Sequence, residues 1–241
     1  MDPGYQKRQE VDEDMTDKEV YRRAIGSLLY LAINTRPDIA VGTSILSRHV
    51  ENPKQSDWIE VKRIYRYLKK TKHKKLKLGA VSENQNNDLT VYVDADWGGD
   101  RTDRKSNSGY CMTYKGCTIA WTSKKQSLVT LSSTEAEYIA LTESLQEVLW
   151  LRRLLKDFNQ DVSQPITVYE DNQNCIRLLQ NPKSSLRTKH IDIKYHFVRD
   201  LYQSKDIDLR YCPSEHMIAD LLTKPLESVK IRQLSMDIGL V

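Results

Sequence analysis

At 241 residues, 29% of them charged and with a formal net charge of +4, the chain has room for one medium domain and a smaller companion. No apolar run approaches bilayer-spanning length, the acidic, polar stretch from Met1 to Glu19 lacks the apolar core of a secretion signal, and mean hydropathy is −0.62; together these argue for a soluble intracellular type. Cys111, Cys117, Cys175 and Cys212 form no C-x-x-C pair, which leaves metal-finger and redox-motif chemistry without support.

In chain order, residues 1–18 lack periodic apolar positions and are expected to be a flexible acidic tail. Residues 19–79 read as helical. Ile25, Leu28, Leu29 and Ala32 repeat at helical spacing, Pro37 to Arg48 offers a second helix, and Ser56 to Lys69 a third through Ile59, Ile64, Tyr67 and Leu68. Three short helices make a weak independent core, so this region is expected to belong to something larger. It carries nine Lys/Arg and no Asp/Glu between Val61 and Leu78. Alone, such a run reads as a solvated helix face; beside nucleic-acid chemistry it reads as a phosphate-binding strip.

Residues 80–88 are polar and turn-rich, the expected linker. From 89 to 226 the pattern is that of a mixed α/β domain. Leu89–Trp97, Gly109–Tyr114, Cys117–Thr122, Ile166–Glu170 and Ile207–Cys212 read as strands, with Lys115-Gly116 as a hairpin turn. Ser132 or Ser133 is expected to cap a long helix to about Phe158, Glu135 completing a capping box with Ser132. Asn172–Gln180 and Thr188–Ser204 follow as helices, and Ser214 is expected to cap a final helix that carries Asp220 and ends before Pro225. Residues 227–241 are expected to be a C-terminal tail. This order gives a five-stranded mixed sheet covered by helices.

Four carboxylates stand where local physics disfavours them. Asp94 is mid-strand, a position from which Asp is depleted. Glu137 lies on the apolar stripe of the long helix, in line with Leu141, Leu145, Val148, Leu151 and Leu155. Asp171 ends an apolar strand, and Asp220 sits between Ala219 and Leu221. Singly, each has an ordinary reading: first-turn charge, helix cap or surface residue. Together, at the edge where strand ends and helix starts converge, their repulsion calls for a hard divalent cation.

The blocks YVDADWGGDRTDRKSNSGY (92–110), WTSKKQSLVTLSSTEAEYIAL (121–141), YEDNQNCI (169–176), RTKHIDIKYHFVRD (187–200) and ADLLTKPL (219–226) closely resemble the ribonuclease H domain of copia-type LTR-retrotransposon Pol polyproteins. Residues 25–73 resemble the region joining that family's reverse transcriptase to ribonuclease H. The resemblance implies a ribonuclease H-like α/β fold at 89–226 after a helical connection remnant at 19–79. It also implies cleavage of the RNA strand of RNA–DNA hybrids by Asp94, Glu137, Asp171 and Asp220, with Glu137 rather than Glu135 matching the family glutamate. Two Mg²⁺ ions, with Mn²⁺ as substitute, would activate a water and stabilise the departing 3′ oxygen. The implied partners are the hybrid and the polymerase part of a Pol polyprotein, with no membrane. Cytoplasm is the expected location, with the nucleus as second choice.

Departures from cellular ribonucleases H shape the remaining expectations. The His-bearing loop before the last helix is missing. His216 is expected to be exposed near a helix start, and His190 and His196 to pack or pair on a helix surface. The connector 181–188 is too short for a basic protrusion, so Lys62, Arg63, Arg66, Lys69 and Lys70 are expected to grip the hybrid instead. Arg101, Arg104, Lys105, Lys124 and Lys125 would line the active edge, and removing residues 1–80 would weaken hybrid binding. YVDAD is not the polymerase Y-x-D-D, because Ala95 separates its aspartates on one strand. The alternative function is a catalytically inactive nucleic-acid-binding remnant of the same fold.

Overall fold

In a computed structural model of the chain, residues 1–5, 13–15, 17–79, 89–180 and 189–241 are described. The expected linker 80–88 and the connector 181–188 lie outside them, as does the side chain of His190.

Asp17 opens α1 (Lys18–Asn34), its carboxylate accepting from the Val20 amide at 2.9 Å, as an N-cap should. A 3₁₀ turn at Pro37–Ile39 leads into α2 (Ala40–Ser47), and α3 (Gln55–Lys70) follows. The sheet comprises β1 (Leu89–Asp96), β2 (Asn107–Tyr114), β3 (Cys117–Lys125), β4 (Ile166–Glu170) and β5 (Ile207–Tyr211) in the order β3-β2-β1-β4-β5. β2 is antiparallel to β1 and β3, while β4 runs parallel to β1 and β5. Lys115 and Gly116 both have positive φ, 51° and 74°, the left-handed pair that a two-residue hairpin needs. The helices are α4 (Ser133–Asp157), α5 (Gln173–Gln180), α6 (Lys189–Gln203), α7 (Asp220–Thr223) and α8 (Ser228–Asp237). This is the architecture expected from the sequence, a mixed five-stranded sheet flanked by helices and preceded by a helical region.

Strand alternation divides β1 between two cores. Val91, Val93 and Ala95 face α4, where Leu141, Leu145 and Val148 are buried. Tyr92 turns to the opposite face, beside Cys111 and Trp121. That second face is covered by the N-terminal helices: Tyr21, Ile25, Leu28, Ile45, Leu46 and Ile64 share one core with Leu221, Leu222, Leu234 and Ile238. The Trp121 indole donates to the Ala32 carbonyl at 2.7 Å, tying β3 to α1. The larger structure that these helices needed is therefore the sheet itself, whose second apolar face required a cover.

Four local expectations change. Residues 227–241 are not a tail: α8 is followed by Leu240, which bridges Leu76, and the Lys75 and Val241 backbones exchange hydrogen bonds at 2.6 and 3.0 Å. Within 1–18, Tyr5 and Met15 are buried, and the Tyr5 hydroxyl donates to the buried carboxylate of Asp57. The final helix does not start at Ser214; turns through residues 212–219 carry the chain to Asp220, which opens the single turn of α7, so a loop bearing the exposed His216 does precede that helix, contrary to expectation. The capping box closes one residue early, because Glu135 accepts from the Leu131 amide at 2.6 Å rather than from Ser132.

Gly109 allows α7 to reach the sheet. A Cβ there would lie 2.5 Å from Thr223 Cγ2 and 2.8 Å from Leu222 Cβ, so only glycine permits this approach.

Candidate active site

Asp94 lies near the C-terminal end of β1, opposite Gly109, with its side chain buried. β4 runs parallel to β1, so Asp171, immediately after Glu170 at the end of β4, emerges at the same edge. The stripe of α4 points Glu137 inward to meet them. One carboxylate oxygen from each of Asp94, Glu137 and Asp171 lies within 4.8 Å of the others. The Ser214 hydroxyl donates to Asp171 Oδ2 at 2.7 Å, and the Thr223 hydroxyl donates to Asp94 Oδ2.

Asp220 borders this group through a lysine. Its Oδ1 lies 2.6 Å from Lys224 Nζ, and its Oδ2 is paired with Lys230 Nζ from α8. Lys224 Nζ is also 3.5 Å from Asp94 Oδ2. The ammonium group thus sits between two of the four expected carboxylates.

Burial raises the Asp94 carboxyl to about 7, with Asp220 and Asp171 adding to the rise and Lys224 and Thr223 opposing it. Burial also lifts Glu137 well above the usual range, reinforced by Glu170, Asp94 and Asp171. Glu170 rises for the same first reason, with repulsion from Asp171 and Asp94 behind it. Burial works against the charge on Lys224, yet Asp94 and Asp220 outweigh it and hold the ammonium above the ordinary lysine range. Glu137 Oε2 and Glu170 Oε2 are buried without hydrogen-bond partners. Clustered oxygen donors, uncompensated repulsion and orphaned carboxylate oxygens are what a hard divalent cation satisfies. The residues fit such an ion.

The chain has relatives among known proteins. The chain is 41% identical over 207 residues to the retrovirus-related Pol polyprotein from transposon TNT 1-94 of Nicotiana tabacum, covering 86% of this chain. It is 37% identical over 227 residues to that from transposon RE2 of Arabidopsis thaliana, covering 94% of this chain.

The chain is homologous to one segment of the retrovirus-related Pol polyproteins of transposons.

It spans 15% of the length of each of these two Pol relatives. A further relative, secreted RxLR effector protein 161 of Plasmopara viticola, is 42% identical over 131 residues, which are 54% of this chain and 90% of that protein. No family model matches. Among solved structures, LC11-RNase H1, isolated from compost by a metagenomic approach, overlays with a TM-score of 0.45 at 20% identity, covering 57% of this chain and 94% of that one.

Of the four carboxylates singled out in the sequence, the structure brings together Asp94, Glu137 and Asp171 and places Asp220 beside them, on the far side of Lys224. Asp96, on the same strand face as Asp94, turns to the β1–β2 corner, where Asn107 donates to it through Nδ2 at 2.8 Å. Sequence reasoning missed Glu170, Lys224 and Lys230. The alternation Ile166, Val168, Glu170 marks Glu170 as inward-facing, and the four-residue step from Asp220 marks Lys224. Lys230 carried no signal, since it comes from the segment read as a tail.

The basic residues divide by environment. Lys62 is exposed, its Nζ 5.8 Å from the Trp58 ring centroid, and Arg66, Lys69 and Lys70 are exposed on α3. Arg63 is tied to Glu60 and Asp2 at 3.4 and 3.5 Å. Around the sheet edge, Arg101, Arg104 and Lys124 are exposed. Lys105 lies 3.8 Å from Asp103. Lys125 is held by Asp100 and Asp103 at 2.5 and 2.8 Å, so its charge is largely spent within the protein. His216 is exposed and nearest Glu215, at 3.6 Å, rather than the carboxylate cluster. His196 is exposed and edge-on to Tyr195.

Proposed function

We propose that this chain is a metal-dependent endonuclease that cleaves the RNA strand of RNA–DNA hybrids. The carrying observation is the convergence of Asp94, Glu137 and Asp171 within 4.8 Å at one sheet edge, at the positions matching the ribonuclease H motif blocks. Asp94, Glu137 and Asp171 would hold one Mg²⁺; a second, shared by Asp94 and Asp220, would take the place that the Lys224 ammonium holds between them, with Mn²⁺ as a substitute. When bound, such ions supply a water acidified toward hydroxide and charge stabilisation at the departing 3′ oxygen.

The protein's own contribution is positional. Thr223 and Ser214 fix the orientations of Asp94 and Asp171 by hydroxyl donation. Lys224 supplies positive charge between Asp94 and Asp220, which limits their repulsion before substrate arrives. Selection of the RNA strand would rest on hybrid shape and the 2′-OH. The polymerase part of a Pol polyprotein would deliver the hybrid, in cytoplasmic particles or, as second choice, the nucleus.

A second reading has its own observation: both Asp220 oxygens are paired with lysines, which suits a nucleic-acid-binding remnant that does not cleave. One assay separates the two. Purified chain is incubated with labelled hybrid, RNA duplex and DNA duplex, in Mg²⁺ or in EDTA. Cleavage of hybrid RNA alone, abolished by EDTA and by Asp94→Asn, supports the nuclease; binding without cleavage supports the remnant and sinks it.

A further inference from the structure

Trp97 directly follows β1, three positions beyond Asp94, and its side chain is 57% exposed. It is not loose. The indole Nε1 donates to the Thr130 carbonyl at 3.2 Å, the Thr130 and Ser106 hydroxyls lie 3.2 Å apart, and the Gly98 amide donates to the Ser106 hydroxyl at 3.0 Å. The β3–α4 loop and the end of β1 are therefore held as one unit. From that loop project Leu128, Val129 and Leu131, exposed by 47, 51 and 78%.

Single exposed apolar residues are ordinary, but three within four positions beside an exposed indole are a patch. The loop runs directly into the Ser132 cap of α4, so the patch lies between the strand that carries Asp94 and the helix that carries Glu137. Its surroundings are basic. A Cβ on Gly98 would lie 3.5 Å from Arg104 Nη2, so the Arg104 guanidinium folds against the backbone next to Trp97. Lys124, exposed, is the last residue but one of β3, opposite Ser108 and four positions before Leu128. An apolar centre with a cationic rim complements a polyanion that has apolar faces, which describes a nucleic-acid strand.

The chemistry of the patch also selects which strand. Leu128, Val129 and Leu131 offer no side-chain donor or acceptor, so a 2′-hydroxyl pressed against them would be buried without a hydrogen-bond partner. Deoxyribose has no such group. We infer that Trp97, Leu128, Val129 and Leu131 seat the DNA strand of the hybrid and discriminate against ribose in it. This rests on the hybrid substrate proposed above.

The test uses the full chain carrying Asp94→Asn, so that substrate survives, and compares two hybrids by fluorescence anisotropy. One has an all-deoxy DNA strand; the other has single ribonucleotides substituted along that strand. The parent is expected to prefer the all-deoxy hybrid by about tenfold, one unbonded hydroxyl's worth. Val129→Gln with Leu131→Gln, both on the surface, should weaken all-deoxy binding and bring the preference toward unity. Trp97→Ala should weaken binding, with Trp97→Phe restoring most of it. If the parent shows no preference, or the variants keep both affinity and preference while the unmutated chain still cleaves hybrid, the strand seat is wrong and the nuclease assignment stands. If the unmutated chain neither binds nor cleaves hybrid, both fall together.

Discussion

Lys224 and Asp220, one helical turn apart, form an ion pair of 2.6 Å, and the same ammonium reaches Asp94 at 3.5 Å. The buried acidic cluster thus has a protein-borne cation at its border. Lys230, from a helix beyond the recognised motif blocks, adds a second.

Replacing Lys224 with Met keeps the aliphatic stem and removes the charge. Asp94 and Asp220 would then be buried with less compensation. Breaking a fully buried pair costs roughly 3–5 kcal/mol; Lys224 is 38% exposed, so solvent screening lowers the expected loss to about 2 kcal/mol. Urea midpoints in EDTA should show this loss, and saturating Mg²⁺ should recover part of it. Equal midpoints in EDTA for variant and parent would rule out the role.

Burial pushes the Asp94 carboxyl from an ordinary 3.8 up to about 7 in the folded chain. A raised acid binds its proton more tightly when folded, so its contribution is fully present below about pH 4 and is lost as pH rises through about 7. Metal-free protein should therefore lose stability between about pH 4 and 7, by a few kcal/mol at most from this group. Asp94→Asn should remove that component, and bound Mg²⁺ should flatten it by favouring the deprotonated form. Thermal denaturation across pH in EDTA would expose the opposite slope if the burial argument is wrong.

Gly109→Ala places a methyl where Thr223 Cγ2 and Leu222 Cβ already sit. Relief requires α7 to move off β2, carrying Thr223 away from Asp94. A stability loss of about 1–3 kcal/mol, typical of overpacking, should accompany weaker Mn²⁺ binding by titration calorimetry. Weaker folding with unchanged Mn²⁺ affinity would uncouple α7 from the site.

The shared core changes how the basic strip must be tested. Removing residues 1–80 would strip Tyr21, Leu28 and Leu46 from Leu221, Leu222 and Leu234, so the truncated chain is expected to aggregate or unfold. Substituting Arg66, Lys69 and Lys70 with Gln on the intact chain leaves that core alone. For every phosphate that is no longer neutralised, the steepness of log K against log salt should fall by about 0.9. An unchanged slope would show that this face of α3 is only solvated.

Much of the site could be read from neighbours in the chain. Alternation in β1 places Asp94 on one face, the 3.6-residue stripe of α4 turns Glu137 inward, and Asp171 closes a strand just before a helix; each pattern spans only a few residues. The sheet and most helices followed from the same short-range periodicities. Ser214 misled because a good capping residue is no guarantee of a helix, and here turns carry the chain to Asp220.

By itself the sequence determined which residue types could gather at the edge of a mixed sheet, and which motif family they match. Tertiary structure alone decided that α1–α3 and α8 cover the sheet's second face, that Gly109 admits α7, and that Lys230 reaches Asp220. Periodicity reports that a helix has an apolar stripe but not which distant surface will bury it. That choice depends on shape and on the whole set of faces left uncovered when the chain collapses.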